Sequence, residues 1–186
     1  MTADGNNVIA NPYQNEDLFW ALRGGGGGTW GVVTSVTYKT HPSTPLPSAF
    51  IFVNSTNADS TQKLFAEIIR LTPSLAEQGY GGYGHVSASQ IILLATSPNV
   101  TVEQNQATFL PLFEFAASQP GLSVENYTTV YQDFGSWSET ILVIPGDVVA
   151  IPLEISSWLL PRDIFDTDRP GDLAAELFKI TSFGYL

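Results

Sequence analysis

The run of five consecutive glycines, Gly24–Gly28, most constrains how this chain can fold. Each glycine loses more backbone entropy on folding than any other residue, about 0.5–1 kcal/mol relative to alanine. Such a run is favoured where the backbone must approach another group closely or adopt a positive φ. Because apolar segments adjoin both ends, we interpret the run as a packed loop close to a ligand. The alternative is a flexible linker of the kind that glycine-rich tethers form.

The flanking segments predict a helix before the glycines and a strand after them. Residues 16–23 present an apolar face that includes Leu18 and Trp20, and they are too few to form a stable helix alone. Residues 29–39 are rich in valine and threonine, which is typical of a strand. We expect Trp20 and Trp30 to be buried, because large aromatic side chains usually are.

Two common phosphate-binding motifs are excluded, one by the order of the elements and the other by the sequence of the loop. A dinucleotide-binding turn places its glycines after a strand and before a helix, so that phosphate meets the helix N-terminus. Here the glycines follow the helix instead. A phosphate-binding loop of the Walker type ends in Gly-Lys-Ser or Gly-Lys-Thr, and the chain has no such sequence.

Residues 17–42 read DLFWALRGGGGGTWGVVTSVTYKTHP. Together with residues 2–16, they resemble the closing segment of the FAD-binding domain of the vanillyl-alcohol oxidase / p-cresol methylhydroxylase flavoproteins. The resemblance is strongest to the berberine-bridge-enzyme-like branch and its fungal FAD-linked oxidoreductases. Residues 158–165, WLLPRDIF, resemble a substrate-domain segment of the same branch.

The resemblance implies an α+β fold in two parts. Residues 1–42 would be the C-terminal part of a PCMH-type FAD-binding domain. Residues 43–186 would be part of a substrate domain built from an antiparallel sheet with helices. The proline-rich residues 41–47 favour extended backbone and mark the boundary between the two parts.

The same resemblance implies which residues lie close to FAD. The glycine run would approach the cofactor, and backbone groups of the next segment would bond its adenine end. The cofactor-proximal positions are Gly24, Gly25, Gly26, Gly27, Gly28, Gly31, Val32 and Val33. The family's pyrophosphate loop, its flavin-linked histidine and its C-terminal catalytic tyrosine match no residues of this sequence. We therefore transfer no catalytic residue, and we expect the chain to be inactive alone.

By resemblance, the parent protein is an FAD-dependent oxidoreductase that transfers a hydride from a small organic substrate to the flavin. Molecular oxygen is the expected electron acceptor. The alternative is a non-catalytic secreted glycoprotein, or a binding module derived from a flavoprotein.

Composition narrows the choice of partners. The net charge is −11, with an isoelectric point near 4.3, which argues against nucleic acid or an anionic membrane as partner. No apolar run approaches the roughly 20 residues of a membrane span.

Cysteine is absent, so disulfides and thiol chemistry are excluded. Three glycosylation sequons, at Asn54, Asn99 and Asn126, are compatible with secretion, the expected localisation.

The remaining sequence predicts an antiparallel sheet with helices on one face. Its capping signals are Ser60 for the first helix and Thr101 with Gln104 for the second. Predicted strands cover residues 49–54, 83–86, 90–96 and 122–131. Predicted helices cover residues 60–71, 101–117, 134–140 and 173–180, and residues 154–160 are ambiguous. An Asp-Gly turn joining two strands is predicted within residues 2–10.

Other candidate residues are favoured in structural roles. His85 lies among tyrosines and glycines, where it could act as a base, but an ordinary sheet histidine is the favoured interpretation. Arg162 and Asp163 are expected to form a surface or interdomain ion pair. The acidic residues between 163 and 172 lack the glycine and terminal glutamate of a calcium loop, so no metal site is predicted.

Overall fold

The computed structural model describes residues 1–141, 157–165 and 169–180, and it divides the chain into two compact units, residues 1–42 and 43–186. In the first unit, α1 spans Glu16–Gly25. Among its described residues, the second unit contains four strands and four helices, with a short 3₁₀ turn at Arg162–Ile164. In chain order its elements are β1 (Leu46–Ser55), α2 (Ala58–Glu77), β2 (Gly81–Val86), β3 (Gln90–Thr96), α3 (Val102–Ser118), β4 (Leu122–Tyr131), α4 (Phe134–Ile141) and α5 (Pro170–Ile180).

The strands of the second unit form one antiparallel sheet in the order β2-β3-β1-β4. Side chains alternate between the two faces of a strand, and Ala49, Ile51 and Val53 of β1 all point to the face covered by α2 and α3. The main core lies there, where Leu64 of α2 and Phe109 of α3 are fully buried.

The predicted α+β fold with an antiparallel sheet is confirmed. The expectation that the helices lie on one face is wrong for α4, because its Trp137 packs against Leu46 and Leu94 on the opposite face of the sheet.

The helix α2 is longer than predicted because its start and its interior were both misjudged. The side chain of Asn57, rather than Ser60, caps the helix by accepting from the backbone N–H groups of Asp59 and Ser60 at 3.1 and 3.3 Å. The helix also continues through Pro73, where a break was predicted. Buried Ile69 and Leu75 lie on either side of this proline, so packing holds both halves of the helix in place.

Local signals predicted the remaining helices better. Thr101 and Gln104 form the expected capping box at the start of α3, with both reciprocal hydrogen bonds present at 2.8 and 3.2 Å. At the start of α4, the Ser136 backbone N–H donates to the Asp133 carboxylate at 2.8 Å, and this hydrogen bond lowers the pKa of Asp133. The final helix, α5, packs along α2.

Arg162 forms an ion pair with Glu77 at the C-terminal end of α2, on the exposed surface of the second unit. The sequence had grouped Arg162 with Asp163 as an ion pair, without identifying Glu77. Residues 157–160 have no regular structure, and the rest of the ambiguous segment, residues 154–156, lies outside the described residues.

In the first unit the structure corrects three predictions. Residues 29–39 form no strand, and Trp20 and Trp30 are 79% and 52% exposed instead of buried. The turn predicted near Gly5 is present, with the Thr2 N–H donating to the Asn6 carbonyl at 2.9 Å, but no strands flank it. The common reason is that strand-forming composition yields a strand only where another strand supplies hydrogen bonds.

Candidate functional site

The glycine run begins where the helical backbone of α1 breaks down. Arg23 and Gly24 already depart from helical dihedrals, and Gly24 has a φ of 139°. Gly26, which follows the helix, has a φ of 85°. The Arg23 guanidinium lies 5.2 Å from the centre of the Phe19 ring, which holds this cation against the helix end.

Local structure accounts for some of these glycines and leaves two unexplained. A Cβ on Gly25 would collide with the Trp30 indole, and a Cβ on Gly31 would lie 2.5 Å from the Met1 carbonyl oxygen. By contrast, a Cβ on Gly27 would meet only the Val33 side chain, at an ordinary 3.7 Å, and one on Gly28 would meet nothing within 4 Å. Gly27 and Gly28 are therefore the positions at which approach of an external group best explains glycine.

Val32 and Val33 were both predicted to lie close to FAD, and they differ in whether their backbone groups are already hydrogen-bonded. Val32 exchanges two hydrogen bonds with Met1: the Val32 N–H donates at 2.9 Å, and the Val32 carbonyl accepts from the terminal amino group at 2.7 Å. The Val33 backbone makes no hydrogen bond within the described residues. Both valine side chains are exposed. Val33 is thus the better placed of the two to bond a ligand through its backbone.

In the second unit, the face of the sheet away from α2 and α3 carries aromatic side chains. The strand register pairs Phe50 of β1 with Leu94 of β3 and with Tyr127 of β4, and pairs Leu94 with Tyr83 of β2. The Phe50 and Tyr127 rings stack, with centroids 5.3 Å apart and planes 28° from parallel. We call this the open face and define it by its exposed or half-buried hydrophobic and aromatic residues. These are Phe50, Phe52, Tyr83, Ile92 and Tyr127.

The next row of paired residues across the four strands of the open face ends in an ionisable side chain at each edge. Phe52 pairs with Ile92 and with Glu125, and Ile92 pairs with His85. Since His85 and Glu125 are three strand spacings apart, about 14 Å separates the two edges of this row. His85 is half-buried and Glu125 is exposed.

One end of the sheet face is closed by α4. Trp137 is buried against Leu46 and Leu94, and it stacks on Phe134 with ring centroids 5.4 Å apart. Tyr131 packs against the same cluster, and burial raises its pKa, with a further contribution from Tyr127. The open face therefore has an apolar end wall.

Neither of two other features in the described residues offers a competing site. An apolar hollow of about 190 Å³ lies beside α2 and β2–β3, where Gly84 has no side chain, and it is smaller than the roughly 300 Å³ of ordinary ligand pockets. No group of three or more metal-binding side chains occurs in this part of the chain. Among the same residues, no helix is both long and apolar enough to span a membrane.

No protein-family model matches the chain. Sequence comparison aligns it over 99% of its length, at 35% identity, with an uncharacterised FAD-linked oxidoreductase of Arthroderma benhamiae. An FAD-linked oxidoreductase of Gibberella fujikuroi aligns over 97% of the chain at 45% identity. Structure comparison matches 78% of the chain to a VAO-type flavoprotein of Myceliophthora thermophila, with a TM-score of 0.63 and 25% identity.

The chain is thus similar to one part of the FAD-linked oxidoreductases and of a VAO-type flavoprotein. It spans about a third of the length of the two curated relatives, 33% and 34%, and 27% of the solved structure. The family resemblance recognised in residues 2–42 is confirmed.

The glycine segment could be identified from the sequence more easily than the open face. The glycine segment is contiguous, so its motif could be read directly. The open face was missed, except for His85, which the sequence offered as a possible base. Alternation along β1 and β4 was a usable signal for Phe50, Phe52 and Tyr127, but only the pairing register brings them together.

The three sequon asparagines are exposed. Asn54 lies near the end of β1, Asn99 lies in the loop before α3, and Asn126 lies on the edge strand β4. Each side chain is thus accessible for modification, which the sequence alone could not establish.

Proposed function

We propose that this chain contributes to an FAD-dependent oxidoreductase in which a small organic substrate gives up a hydride to the flavin, and molecular oxygen then accepts the electrons. The observation that carries the proposal is the alignment of nearly the whole chain with FAD-linked oxidoreductases, at 35% and 45% identity. Because the chain spans only about a third of those relatives, the activity is proposed for the complete protein.

The glycine segment fits a cofactor-proximal role. A Cβ on Gly28 would meet nothing within 4 Å, and one on Gly27 would meet only Val33, at an ordinary 3.7 Å, so a flat ring can approach the backbone of this pair. We assign cofactor proximity to residues 24–28 and 31–33. When bound, FAD would supply the two-electron acceptor, and the residues of the chain would supply position and surroundings.

The open face is the proposed substrate surface. Its aromatic side chains can hold a substrate by apolar contact and stacking, and the α4 wall limits access of water at one end. Oxidation of a C–OH or C–NH group releases one proton for each hydride transferred. His85 and Glu125 are the two ionisable side chains in the row beside Phe52, and either can accept that proton if the reacting carbon lies near it.

The deciding experiment uses the complete protein. We expect it to be purified as a yellow protein whose visible flavin absorption bleaches on anaerobic addition of substrate and returns when air is admitted. A colourless complete protein that is inert to a broad panel of alcohols and amines would contradict the proposal.

We further propose that the protein is secreted and glycosylated, with glycans on Asn54, Asn99 and Asn126. The exposure of all three side chains supports this. The same observation favours the second candidate function, a non-catalytic secreted glycoprotein or binding module. Flavin content separates the two candidates, since a binding module of this kind would be glycosylated and colourless.

A further inference from the structure

We propose that the Arg23 guanidinium binds negative charge on FAD, carried by the pyrophosphate or, after reduction, by the flavin ring. The inference rests on the proposed function, because it names a side chain for the cofactor assigned there. It is drawn from the way Arg23 is held, from the charges near it and from its position directly before the glycine run.

The Arg23 side chain is held by an aromatic ring at the end of α1. Its φ and ψ, −85° and 59°, are no longer helical, and Gly24 follows with a φ of 139°. The guanidinium lies over the Phe19 ring, 5.2 Å from its centre. This contact uses the charge of the group and needs no acceptor atom. The N–H donors of the guanidinium form a planar fork that matches an oxyanion, and they remain available for one.

No carboxylate pairs with Arg23 in the part of the chain that the structure describes. Its guanidinium takes part in no ion pair and no side-chain hydrogen bond among those residues. Glu16 and Asp17 lie in the first turn of α1, whereas Arg23 lies in the last. The Asp4 carboxylate accepts hydrogen bonds within its own turn. An exposed cation without an anionic partner among the described residues thus adjoins the proposed cofactor segment.

FAD brings charge that the backbone near the glycine run does not favour. Its pyrophosphate is anionic, and a hydride added to the neutral flavin ring leaves a negative charge on the ring. The C-terminal end of a helix disfavours anions. Gly27 and Gly28 nevertheless leave room for an approaching group. A guanidinium at this helix end offsets the dipole and can bind a phosphate through two parallel hydrogen bonds. One cation alone does not make an FAD site, so the inference concerns the complete protein.

The test compares the complete wild-type protein with its Arg23→Gln variant, which removes the charge and keeps a polar side chain. Apoprotein from a riboflavin-limited host is titrated with ADP-ribose, which carries the pyrophosphate and lacks the flavin ring. The two-electron midpoint potential of the flavin is measured in the loaded protein. Arg23→Lys keeps the charge and should retain most of the wild-type behaviour, which a merely structural role of the arginine would not predict.

The two measurements identify the group that Arg23 binds. With the pyrophosphate as partner, Arg23→Gln should weaken ADP-ribose binding by about tenfold to a hundredfold, the usual range for a charge-assisted hydrogen bond, and leave the potential unchanged. With the reduced ring as partner, ADP-ribose binding should stay unchanged. The preference for reduced over oxidised flavin should then fall by about tenfold, which lowers the potential by about 30 mV. No change in either measurement would overturn the inference.

Two further variants separate Arg23 from positive charge in general. Lys39→Gln removes the other arginine or lysine charge of residues 1–42, at an exposed position, and should change neither measurement. Phe19→Leu removes the ring beneath the guanidinium and should give part of the Arg23→Gln effect. Thermal melts check that each variant folds. An effect of Lys39→Gln as large as that of Arg23→Gln would overturn the inference.

Flavin content keeps this inference distinct from the proposed function. A yellow protein whose Arg23→Gln variant matches the wild type in both measurements would uphold the oxidoreductase and overturn the role of Arg23. A colourless complete protein that binds ADP-ribose through Arg23 would uphold the pyrophosphate contact and overturn the oxidoreductase. A complete protein that binds neither flavin nor ADP-ribose would overturn both.

Discussion

The Tyr80 phenol donates a hydrogen bond of 2.9 Å to the Asn105 side-chain oxygen in the interior of the second unit. The Asn105 amide in turn donates to the Ser48 carbonyl at 2.9 Å, so one buried side chain connects α3, β1 and the start of β2. The arrangement satisfies polar groups that would otherwise be costly to bury.

Asn105→Ala should destabilise the protein by about 2–4 kcal/mol, because it leaves the Tyr80 hydroxyl and the Ser48 carbonyl without their partner. Urea unfolding followed by circular dichroism measures the change. The matched control is Asn126→Ala, at an exposed position, which should alter the unfolding free energy by less than about 0.5 kcal/mol. Similar losses in both variants would show that the buried hydrogen bonds contribute little.

The stability of the protein should fall at alkaline pH. Burial raises the folded-state pKa values of Tyr80 and Tyr131 above their ordinary value of 10.0. The folded protein therefore holds these protons more tightly than the unfolded chain, and the stabilisation they give is lost as pH rises from about 10 through the folded pKa values.

Unfolding free energies measured across the alkaline range check this expectation. The double variant Tyr80→Phe, Tyr131→Phe should show a shallower decline with pH than the wild type. Near neutral pH, the difference in unfolding free energy between the variant and the wild type should not change with pH. If the unfolding free energy of the variant falls with pH as steeply as that of the wild type, other ionisable groups cause the loss of stability.

Substitution at Gly27 should test cofactor proximity without damaging the fold. A side chain here meets only Val33 at an ordinary distance, so Gly27→Val should leave the melting temperature of the complete apoprotein unchanged. Overpacking against a bound ring should still lower flavin affinity by about tenfold to a hundredfold.

Flavin absorbance per protein, read after gel filtration, reports the result. Gly171→Val, where an added Cβ meets nothing within 4 Å, serves as control and should retain flavin. Gly31→Val is a poor probe, since its φ of 149° and the nearby Met1 carbonyl would strain the fold directly. Full flavin content in Gly27→Val would favour the linker interpretation of the glycine run.

The 186-residue chain, expressed alone, should not bind FAD saturably. The glycine run lies at the C-terminal end of α1, where the helix dipole disfavours the pyrophosphate. Arg23 and Lys39 are the two arginine and lysine side chains of residues 1–42. Quenching of flavin fluorescence during titration with the chain decides the matter. Saturation at micromolar concentrations or below would show that the chain binds FAD unaided.

Glycosylation should occur at all three sequons when the complete protein is made in a eukaryotic secretory host. Replacing Asn54, Asn99 and Asn126 singly by glutamine should each remove one glycan, seen as a stepwise shift in intact mass. Asn7→Gln, at an exposed asparagine outside any sequon, is the control and should keep all three. Secretion without glycans would contradict the modification and leave the oxidoreductase proposal untouched.

The second unit was predictable where short-range signals decide the structure. The bounds of β3 and β4 match the predicted residues 90–96 and 122–131, and α3 begins at its predicted capping box. Residues 29–39 failed because strand formation depends on partners distant in sequence, and composition carries no information about them. The open face was missed for a related reason, since a face is defined by register across four strands.

The position of the tyrosines on the outer strands has an evolutionary consequence. Within the described residues, Tyr83 and Tyr127 extend from the two outer strands, β2 and β4, and neither side chain contributes to the buried core. Mutations at these two sites can change the chemistry of the surface while Ile51 and Val53 continue to hold the central strand in place. A lineage built on this sheet can acquire new ligand preferences by drift at its margins, with little risk to the scaffold that carries them.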